Sequence, residues 1–189
     1  PGRIVFGRGA ARQRLAGEVD RLGSSRLLLI ATASEEAKAR ELLTPVADRI
    51  VATFAGVRPH VPVAVAEAAR AMAAKVGADA LLSVGGGSTT GTAKAVALTT
   101  RLPIVAVPTT YAGSEVTPIY GLTGPEGKRT GRDPRVLPRT VIYDPALTTG
   151  LPAEVTGPSG MNALAHSVEA LYAPGANPLT SALAARCGA

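Results

Sequence analysis

The sequence predicts an α/β fold followed by the beginning of an all-α domain. Up to residue 108, short apolar segments alternate with longer segments of helical periodicity, which is typical of a parallel sheet covered by helices on both faces. The segment RLLLIAT (26–32) is apolar throughout, as expected for a strand buried on both faces. Beyond residue 151 only helical periodicity remains. We therefore predict a Rossmann-like α/β domain over residues 1–150 and the start of a helical domain over residues 151–189.

Each element follows from a local pattern. The predicted strands are short apolar segments, at residues 3–7, 26–32, 48–54, 80–84, 102–108, 116–123 and 139–145. The predicted helices have apolar residues three or four apart, at residues 11–22, 35–43, 61–77, 88–100, 159–173 and 178–189. Ser34 is the expected N-cap of the second helix, and the Gly-, Arg- and Pro-rich residues 124–138 are predicted to form a loop.

Composition and charge exclude several classes of protein. The 189 residues, 46% of them hydrophobic, suit one domain with its own core and part of a second. The net charge is +6, but most arginines are scattered along predicted helices and there is no Trp, which argues against a nucleic-acid surface. The sequence has no membrane-spanning apolar segment, no signal-peptide pattern at its start and a single cysteine, Cys187. We expect a cytoplasmic protein with neither membrane nor nucleic-acid partners.

Three consecutive glycines, Gly85, Gly86 and Gly87, stand with Ser88 between a predicted strand and a predicted helix. Parallel sheets bind ligands just beyond the carboxyl ends of their strands. Glycine lets backbone N–H groups approach a phosphate, and the N-terminus of the following helix favours an anion. The loop therefore predicts a phosphate site. A plain glycine-rich turn is the other interpretation, because the motif is neither a P-loop nor GxGxxG.

Two further segments carry candidate functional groups. The end of the next predicted strand brings the hydroxyls of Thr109, Thr110, Tyr111 and Ser114 to the same sheet edge, where they form either a pocket wall or a capped surface turn.

On the helix predicted at 159–173, Asn162, His166 and Glu169 lie on one face at i, i+4 and i+7. Such a face can hold a divalent metal, and a packing face with a hydrogen-bonded histidine is the alternative.

Four motifs in this order resemble the iron-containing alcohol dehydrogenase superfamily, and within it the maleylacetate reductases: GGGSTTGTAK, PTTYAGSEVTPIYGLT, GKRTGRDPRVLPRTVIYDPALT and GMNALAHSVEALYAPGANPL. The resemblance covers essentially the whole chain. It implies a nucleotide-binding α/β domain, a helical domain and an active site in the cleft between them. It also implies a homodimer and a protein considerably longer than this chain, whose helical domain is mostly absent here.

The resemblance implies a dinucleotide cofactor, NADH or NADPH. The pyrophosphate would be held by Gly85, Gly86, Gly87 and Ser88. The other residues implied to lie near the phosphates, ribose or nicotinamide are Thr109, Thr110, Ser114, Thr148 and Leu151. The strand before ATASEE has no acid directly at its tip, so the choice between NADH and NADPH stays open.

His166 matches a metal ligand of the family, yet two departures argue against a metal. The wider superfamily has Asp at the positions of Asn162 and Gly91, and a neutral amide is a poorer ligand for a hard cation. Maleylacetate reductases share this Asn. The only other histidine, His60, lies in a loop of the first domain. We therefore assign no metal ligand.

The substrate implied by the resemblance is maleylacetate, a dicarboxylate whose C=C bond would be reduced to give 3-oxoadipate. Hydride addition to the carbon β to the ketone builds negative charge on the ketone oxygen as an enolate. His166, or else Tyr111, would orient the substrate or donate a proton. Substrate carboxylates would be met by a basic segment and by Asn162, with the basic residues being Lys128, Arg129, Arg132 and Arg135. A solvated surface loop is the alternative for that segment.

Other functions stay open at this point. The chain is alternatively a truncated, non-catalytic nucleotide-binding module, or half of a two-chain enzyme that needs the missing helical domain. A metal-dependent alcohol dehydrogenase is a further alternative, against which Asn162 counts. A sugar-phosphate cyclase is another, but the PTTYAGSE segment favours the reductase.

Overall fold

The computed structural model describes residues 2–187 and contains the predicted parallel sheet. Six strands, all parallel, are arranged in the order β1-β8-β5-β4-β2-β3. Their bounds are β1 Arg3–Phe6, β2 Leu27–Ile30, β3 Ile50–Phe54, β4 Ala80–Gly85, β5 Ile104–Pro108 and β8 Thr140–Tyr143. Two further strands, β6 Ile119–Gly124 and β7 Gly127–Arg132, form a separate antiparallel hairpin.

Six α-helices accompany the strands: α1 Ala10–Leu22, α2 Glu36–Leu42, α3 Val63–Lys75, α4 Gly87–Thr100, α5 Ala153–Tyr172 and α6 Pro178–Cys187. Short 3-10 helices occur at Thr44–Arg49, Ser114–Val116, Pro134–Val136 and Pro145–Leu147. None of the helices in residues 2–187 has the length and apolar character needed to cross a membrane.

The sheet separates two layers of core. Leu27 and Leu29 of β2 pack with α1 and α2 on one face, while Leu28 and Ile30 pack with α3 and α4 on the other. This arrangement explains the continuous apolar segment of the second strand, since every one of its side chains is buried.

This layering determines where the sheet can form a ligand-binding crevice. β2 and β4 are neighbours in the sheet, but the chain leaves β2 toward α2 on one face and leaves β4 toward α4 on the other. Open parallel sheets bind ligands where successive connections diverge in this way, outside the carboxyl ends of the strands. The fold therefore places a binding crevice between the ends of β2 and β4.

The prediction of a loop over 124–138 was wrong, because β7 lies within it. The strand sequence GKRTGR has no apolar side chain and its residues are largely exposed. An alternation of apolar and polar residues, which would predict a strand, is therefore lacking. Backbone pairing with β6 forms the strand, and Gly127 makes the turn with φ +104°. Leu122 of β6 anchors the hairpin by packing against a small cluster formed by Val61, Ala66 and Ala95.

Two helix starts also differ from the sequence prediction. Ser34 does not cap α2, since its hydroxyl contacts Thr32 Oγ1 at 3.1 Å and the helix begins only at Glu36. Helix α5 was predicted to start at Ser159, but it begins at Ala153 and continues through Gly157 and Pro158, two residues that disfavour a helix interior.

The C-terminal helices α5 and α6 pack against each other, and no residue of α5 is buried. Large apolar side chains are exposed along them: Val155, Met161, Leu164, Val168, Leu171, Tyr172, Leu179 and Leu183. The last two residues of the helix predicted at 178–189 lie outside the described residues. The domain division at residue 150 stays a prediction.

Candidate functional site

The glycine loop joins the end of β4 to the start of α4, as expected from the sequence. Gly85 has φ +146°, and a Cβ there would lie 2.6 Å from Thr89 Oγ1. Helix α4 begins at Gly87 with no side chain capping its N-terminus. The first N–H groups of a helix have no partner within the helix, and they favour an anion. The loop therefore has the features of a phosphate site.

The second and third glycines have a packing role that the sequence did not reveal. A Cβ on Gly86 would lie 3.0 Å from Thr110 Cγ2, and a Cβ on Gly87 would lie 3.2 Å from Ala112 Cβ. The missing side chains thus let the segment after β5 approach the start of α4. Because that segment carries Thr110 and Tyr111, the glycines bring a predicted cofactor residue and a catalytic candidate close to the predicted phosphate loop.

One cavity of about 440 Å³ lies beyond the ends of β1, β5 and β8, and we call it the Tyr111 cavity. Its lining residues are Phe6, Pro108, Thr110, Tyr111, Gly113, Glu115, Tyr143, Asp144, Pro145 and Thr148. Two predicted cofactor residues, Thr110 and Thr148, and the catalytic candidate Tyr111 are therefore together in it. The backbone N–H of Tyr111 also donates to Ser159 Oγ of α5, at 3.0 Å.

A second, larger cavity of about 730 Å³ lies at the ends of β2, β4 and β5, and we call it the Glu35 cavity. Polar residues on its wall include Thr32, Ser34, Glu35, Lys38 and Thr109, and its apolar wall includes Val84, Leu147, Leu151 and Val155. Thr110 lines both cavities, so they meet at this residue. Predicted cofactor residues thus line two cavities that share Thr110 in their walls.

Glu35 is a site residue that sequence reasoning missed. Its carboxylate accepts a hydrogen bond from Thr32 Oγ1 at 2.6 Å and lies 3.4 Å from Thr109 Oγ1. It therefore links the ends of β2 and β5 across the end of β4. In the sequence, Glu35 was only the first residue of the helix predicted at 35–43.

Lys94, in the middle of α4, was also missed. It is fully buried, and its ammonium donates to the carbonyls of Ser114, Thr117 and Ile119. Burial lowers the pKa of Lys94 to about 8, against the attraction of Glu115. Ser114, a predicted cofactor residue, thus accepts a hydrogen bond from Lys94 through its backbone carbonyl. The apolar sequence around Lys94 could have predicted that this lysine is buried, because a helix without a polar face is buried on all sides.

A buried acid, Glu115, lies near this lysine. Glu115 is only 3% exposed and accepts a hydrogen bond from the Tyr143 hydroxyl at 2.7 Å. Burial, followed by the bond to Glu115, raises the pKa of Tyr143 above its ordinary value. Both side chains line the Tyr111 cavity, so a phenol and a carboxyl group that are hydrogen-bonded to each other form part of its wall.

The predicted substrate residues of the basic segment do not form one cluster. Lys128 and Arg132 lie on one face of the hairpin, and Arg129 lies on the face that carries Leu122, because side chains alternate along a strand. Arg135 is paired with Asp133 at 2.6 Å. None of these four basic residues lines the Tyr111 cavity or the Glu35 cavity.

Asn162, His166 and Glu169 are exposed on α5, outside the walls of both cavities. His166 Nδ1 lies 3.2 Å from Glu169 Oε2. Within residues 2–187 there is no group of three or more His, Cys, Asp or Glu side chains placed to hold a metal ion. One imidazole and one amide fall short of the three protein ligands usual in catalytic sites. The described residues of this chain do not fit a metal by themselves.

Comparisons with known proteins match both the fold and the order of the motifs. Maleylacetate reductase of Burkholderia cepacia is 51% identical over 182 residues, which cover 96% of this chain and 51% of that protein. The crystal structure of maleylacetate reductase from Agrobacterium tumefaciens superposes with a TM-score of 0.92 at 45% identity, over 97% of this chain and 52% of that one.

A more distant crystal structure is similar over the same region. It is sulfoacetaldehyde reductase from Bifidobacterium kashiwanohense in complex with NAD+, with a TM-score of 0.91 at 26% identity, over 98% of this chain and 55% of that one. The chain spans about half the length of the curated relatives it matches. The family described as iron-containing alcohol dehydrogenase matches residues 1–145. The chain therefore belongs to the iron-containing alcohol dehydrogenase family.

Proposed function

We propose that the protein containing this chain uses NADH or NADPH to reduce the C=C bond of maleylacetate to 3-oxoadipate. The observation that carries the proposal is the glycine loop at the start of α4, flanked by two cavities that meet at Thr110. About half the residues of this chain are identical to those of maleylacetate reductases, which directs the proposal to that substrate.

The cofactor would supply the hydride, and this chain would supply most of its binding surface. Gly85, Gly86, Gly87 and Ser88 would hold the pyrophosphate at the uncapped N-terminus of α4. The residues that would border the rest of the cofactor are Thr109, Thr110, Ser114, Thr148 and Leu151. Support comes from the related NAD+-bound reductase, whose structure superposes over nearly all of this chain.

Tyr111 is the better supported of the two catalytic candidates. Its side chain is 40% exposed and lines the Tyr111 cavity, so a substrate in that cavity would meet the hydroxyl. A hydroxyl there can donate a hydrogen bond to the ketone oxygen as enolate charge develops. His166 is paired with Glu169 on an exposed helix face, and it would contribute only once the rest of the helical domain encloses it.

The carboxylates of the substrate would be bound by Lys128, Arg129, Arg132 and Asn162, which now lie outside the cavities. The hairpin and α5 would border the substrate only in a protein as long as the relatives, in which further residues could complete the site. A homodimer, which the family resemblance implies, and a cytoplasmic location, which we expect from the composition, are part of the same proposal.

A second candidate is a nucleotide-binding module that is half of a two-part enzyme. It is favoured by the exposed apolar side chains of α5 and α6, because an apolar face of this size in water requires a covering partner. Intact mass and size-exclusion chromatography of the purified protein would distinguish the two, by revealing whether a separate chain co-purifies.

The test of the proposed activity joins residues 1–189 to the C-terminal half of a maleylacetate reductase. We expect the chimera to oxidise NADH or NADPH when maleylacetate is added, and to have no comparable activity toward simple aldehydes or alcohols. A folded chimera that binds cofactor and turns over only alcohols or aldehydes would assign the chain to an alcohol dehydrogenase instead.

A further inference from the structure

The chain connects β3 to α3 through a turn at His60 and Val61 whose backbone is strained. Both residues have a positive φ, +61° and +48°. Few residues other than glycine adopt this left-handed conformation, and it is especially unfavourable for a β-branched side chain such as that of Val61. A conformation of this kind persists only where the surrounding structure holds it. The contacts of Val61 therefore identify what holds the turn.

The side chain of Val61 packs where Gly91 of α4 has no side chain. Val61 is only 5% exposed, and a Cβ built on Gly91 would lie 2.8 Å from its Cγ2. Leaving aside the adjoining residues and the backbone of α4, no other atom of residues 2–187 lies within 4 Å of that Cβ. The contact is therefore specific to this pair, and any side chain at Gly91 would displace Val61.

The same turn holds the hairpin formed by β6 and β7. The carbonyl of His60 accepts a hydrogen bond from Thr123 Oγ1 at 2.8 Å, and the carbonyl of Val61 accepts one from the N–H of Thr123 at 3.0 Å. Leu122, the preceding residue of β6, packs against the cluster that includes Val61. The far end of β6 is therefore attached to the turn both by its backbone and by an apolar side chain.

Helix α4 thus holds the hairpin at two points that are about one turn apart. Gly91 receives the side chain of Val61, and Lys94 donates to the carbonyl of Ile119, the first residue of β6. Positions three apart lie on the same face of a helix. Because α4 begins at the glycine loop, these two points fix the hairpin relative to the proposed phosphate site.

From these contacts we propose that Gly91 and Val61 are a positioning pair for substrate recognition. By fixing the hairpin, the pair places Lys128 and Arg132 of β7 in a defined position relative to the glycine loop, where they bind the carboxylates of a dicarboxylate substrate. This inference rests on the proposed function, since it assumes that these basic residues meet the substrate. Release of the hairpin should weaken the binding of substrate more than the binding of cofactor.

Hydrogen–deuterium exchange of the purified chain tests whether the pair holds the hairpin. Gly91→Ala adds the Cβ that meets Val61 Cγ2. We expect the amides of β6 and β7 to exchange at least about 10-fold faster in this variant, while those of β4 and β5 stay within about 2-fold of the wild type. Gly17→Ala of α1 is the control and should exchange like the wild type, since no atom lies within 4 Å of its added Cβ.

A double variant separates this contact from a general effect of Gly91→Ala. Val61→Ala alone should accelerate exchange of the hairpin by about 3-fold or more, because the cluster against which Leu122 packs loses two methyl groups. In that background Gly91→Ala should add less than about 2-fold, since the Cγ2 atom that its Cβ would meet is absent.

The chimera with the C-terminal half of a maleylacetate reductase measures the effect on recognition. Gly91→Ala should raise the KM for maleylacetate at least about 10-fold and change the dissociation constant of NADH by less than about 3-fold. In a Lys128→Met/Arg132→Met background, where the hairpin lacks both cations, Gly91→Ala should change KM by less than about 2-fold. A merely structural role of Gly91 would raise KM equally in the two backgrounds.

Unchanged exchange of the hairpin in folded Gly91→Ala would overturn the pair. Faster exchange with an unchanged KM, or an equal loss of NADH affinity, would overturn its role in substrate binding and leave the proposed function intact. If Gly91→Ala does not fold, Val61→Ala decides, since exchange of its hairpin and its KM should rise together. A wild-type chimera that binds NADH without reducing maleylacetate would overturn the proposed function, and the substrate role of the pair with it.

Discussion

The ammonium of Lys94 lies 2.8 Å from the carbonyl oxygen of Ile119, the first residue of β6. The same ammonium donates to the carbonyl of Thr117, also at 2.8 Å, and to that of Ser114. Lys94 belongs to the helix that begins at the glycine loop, and its acceptors belong to the segment after Thr110 and Tyr111. One buried cation therefore joins the phosphate side of the candidate site to the segment that lines the Tyr111 cavity.

We predict that Lys94→Met destabilises the fold and weakens cofactor binding together. The variant would bury several carbonyl groups without a donor, which should lower the free energy of unfolding by about 2–4 kcal/mol. Urea denaturation at pH 7 measures this change, and NADH titration measures the binding. Lys75→Met, on the exposed end of α3, is the control and should stay within about 0.5 kcal/mol of the wild type. A stable Lys94→Met variant would show that the carbonyls find other partners.

The buried lysine also predicts how stability depends on pH. Its pKa is about 8 in the folded chain and has its ordinary value of 10.5 in the unfolded chain. Between these pH values the unfolded chain binds more protons, so the contribution of Lys94 to the free energy of unfolding rises with pH. Below pH 8 the amine is charged in both states and the contribution is constant.

The stability difference between wild type and Lys94→Met should accordingly grow by about 1–2 kcal/mol from pH 8 to pH 9.5. Urea denaturation of the two proteins in matched buffers gives that difference. The pH-dependent contributions of the ionisable groups that both proteins share cancel. A difference that stays flat or falls over this interval would mean that the three carbonyls keep the proton on the amine.

The contact between Gly86 and Thr110 gives a test of the phosphate loop. Gly86→Ala should weaken NADH binding by more than about 10-fold, because a Cβ would occupy space beside the loop backbone. The same Cβ would also press on Thr110 Cγ2, at 3.0 Å, so packing alone can produce a loss. Thr110→Ser removes that methyl group, and the double variant separates the two causes.

If the loop holds a phosphate, Gly86→Ala/Thr110→Ser should bind NADH as weakly as Gly86→Ala. Recovery of affinity in the double variant would assign the loss to packing and would remove Gly86 from the phosphate site. Gly17→Ala, at an exposed position of α1 outside both cavities, is the control, since no atom lies within 4 Å of its added Cβ.

Local patterns were sufficient to predict the sheet, because every strand of the core is short, apolar and bounded by turn residues. They were insufficient for β7, whose polar sequence is held by pairing with β6 and by the packing of Leu122. The position of the glycines between a predicted strand and a predicted helix likewise identified the loop. A sequence pattern does not, however, reveal which other elements lie close to that loop in space. Glu35 reaches Gly85 only because β2 and β4 are neighbours in the sheet, and strand order is a tertiary property.

We predict that this chain alone binds no stoichiometric iron or zinc. The chain would contribute at most His166 and Asn162, and two ligands do not retain a divalent metal against dialysis. Elemental analysis after dialysis measures the metal content, with His166→Ala as the matched variant. Close to one equivalent of metal in the wild type, lost in His166→Ala, would contradict the prediction and return the metal-dependent alcohol dehydrogenase to consideration.

The final prediction is that residues 1–189 bind NADH or NADPH but reduce maleylacetate little or not at all. Hydride transfer requires the alkene carbon to be held within about 3–3.5 Å of the nicotinamide, in a site that excludes water. The Tyr111 cavity is open, and the exposed faces of α5 carry His166 and Asn162 outside it. Substrate carboxylates could meet Lys128 or Arg132, yet within the described residues no opposing wall would press the alkene onto the cofactor.

Cofactor titration and NAD(P)H oxidation on the same preparation separate binding from turnover, with a full-length maleylacetate reductase as the reference. Intact mass and the absence of a co-purifying protein establish that the chain acts alone. Binding with turnover reduced by more than about 1,000-fold agrees with a site shared between two domains, since loss of positioning alone removes several kcal/mol of transition-state stabilisation. Turnover equal to the reference would require the whole catalytic site to lie within residues 1–189, with Tyr111 as its proton donor and the cavity around it as the substrate pocket.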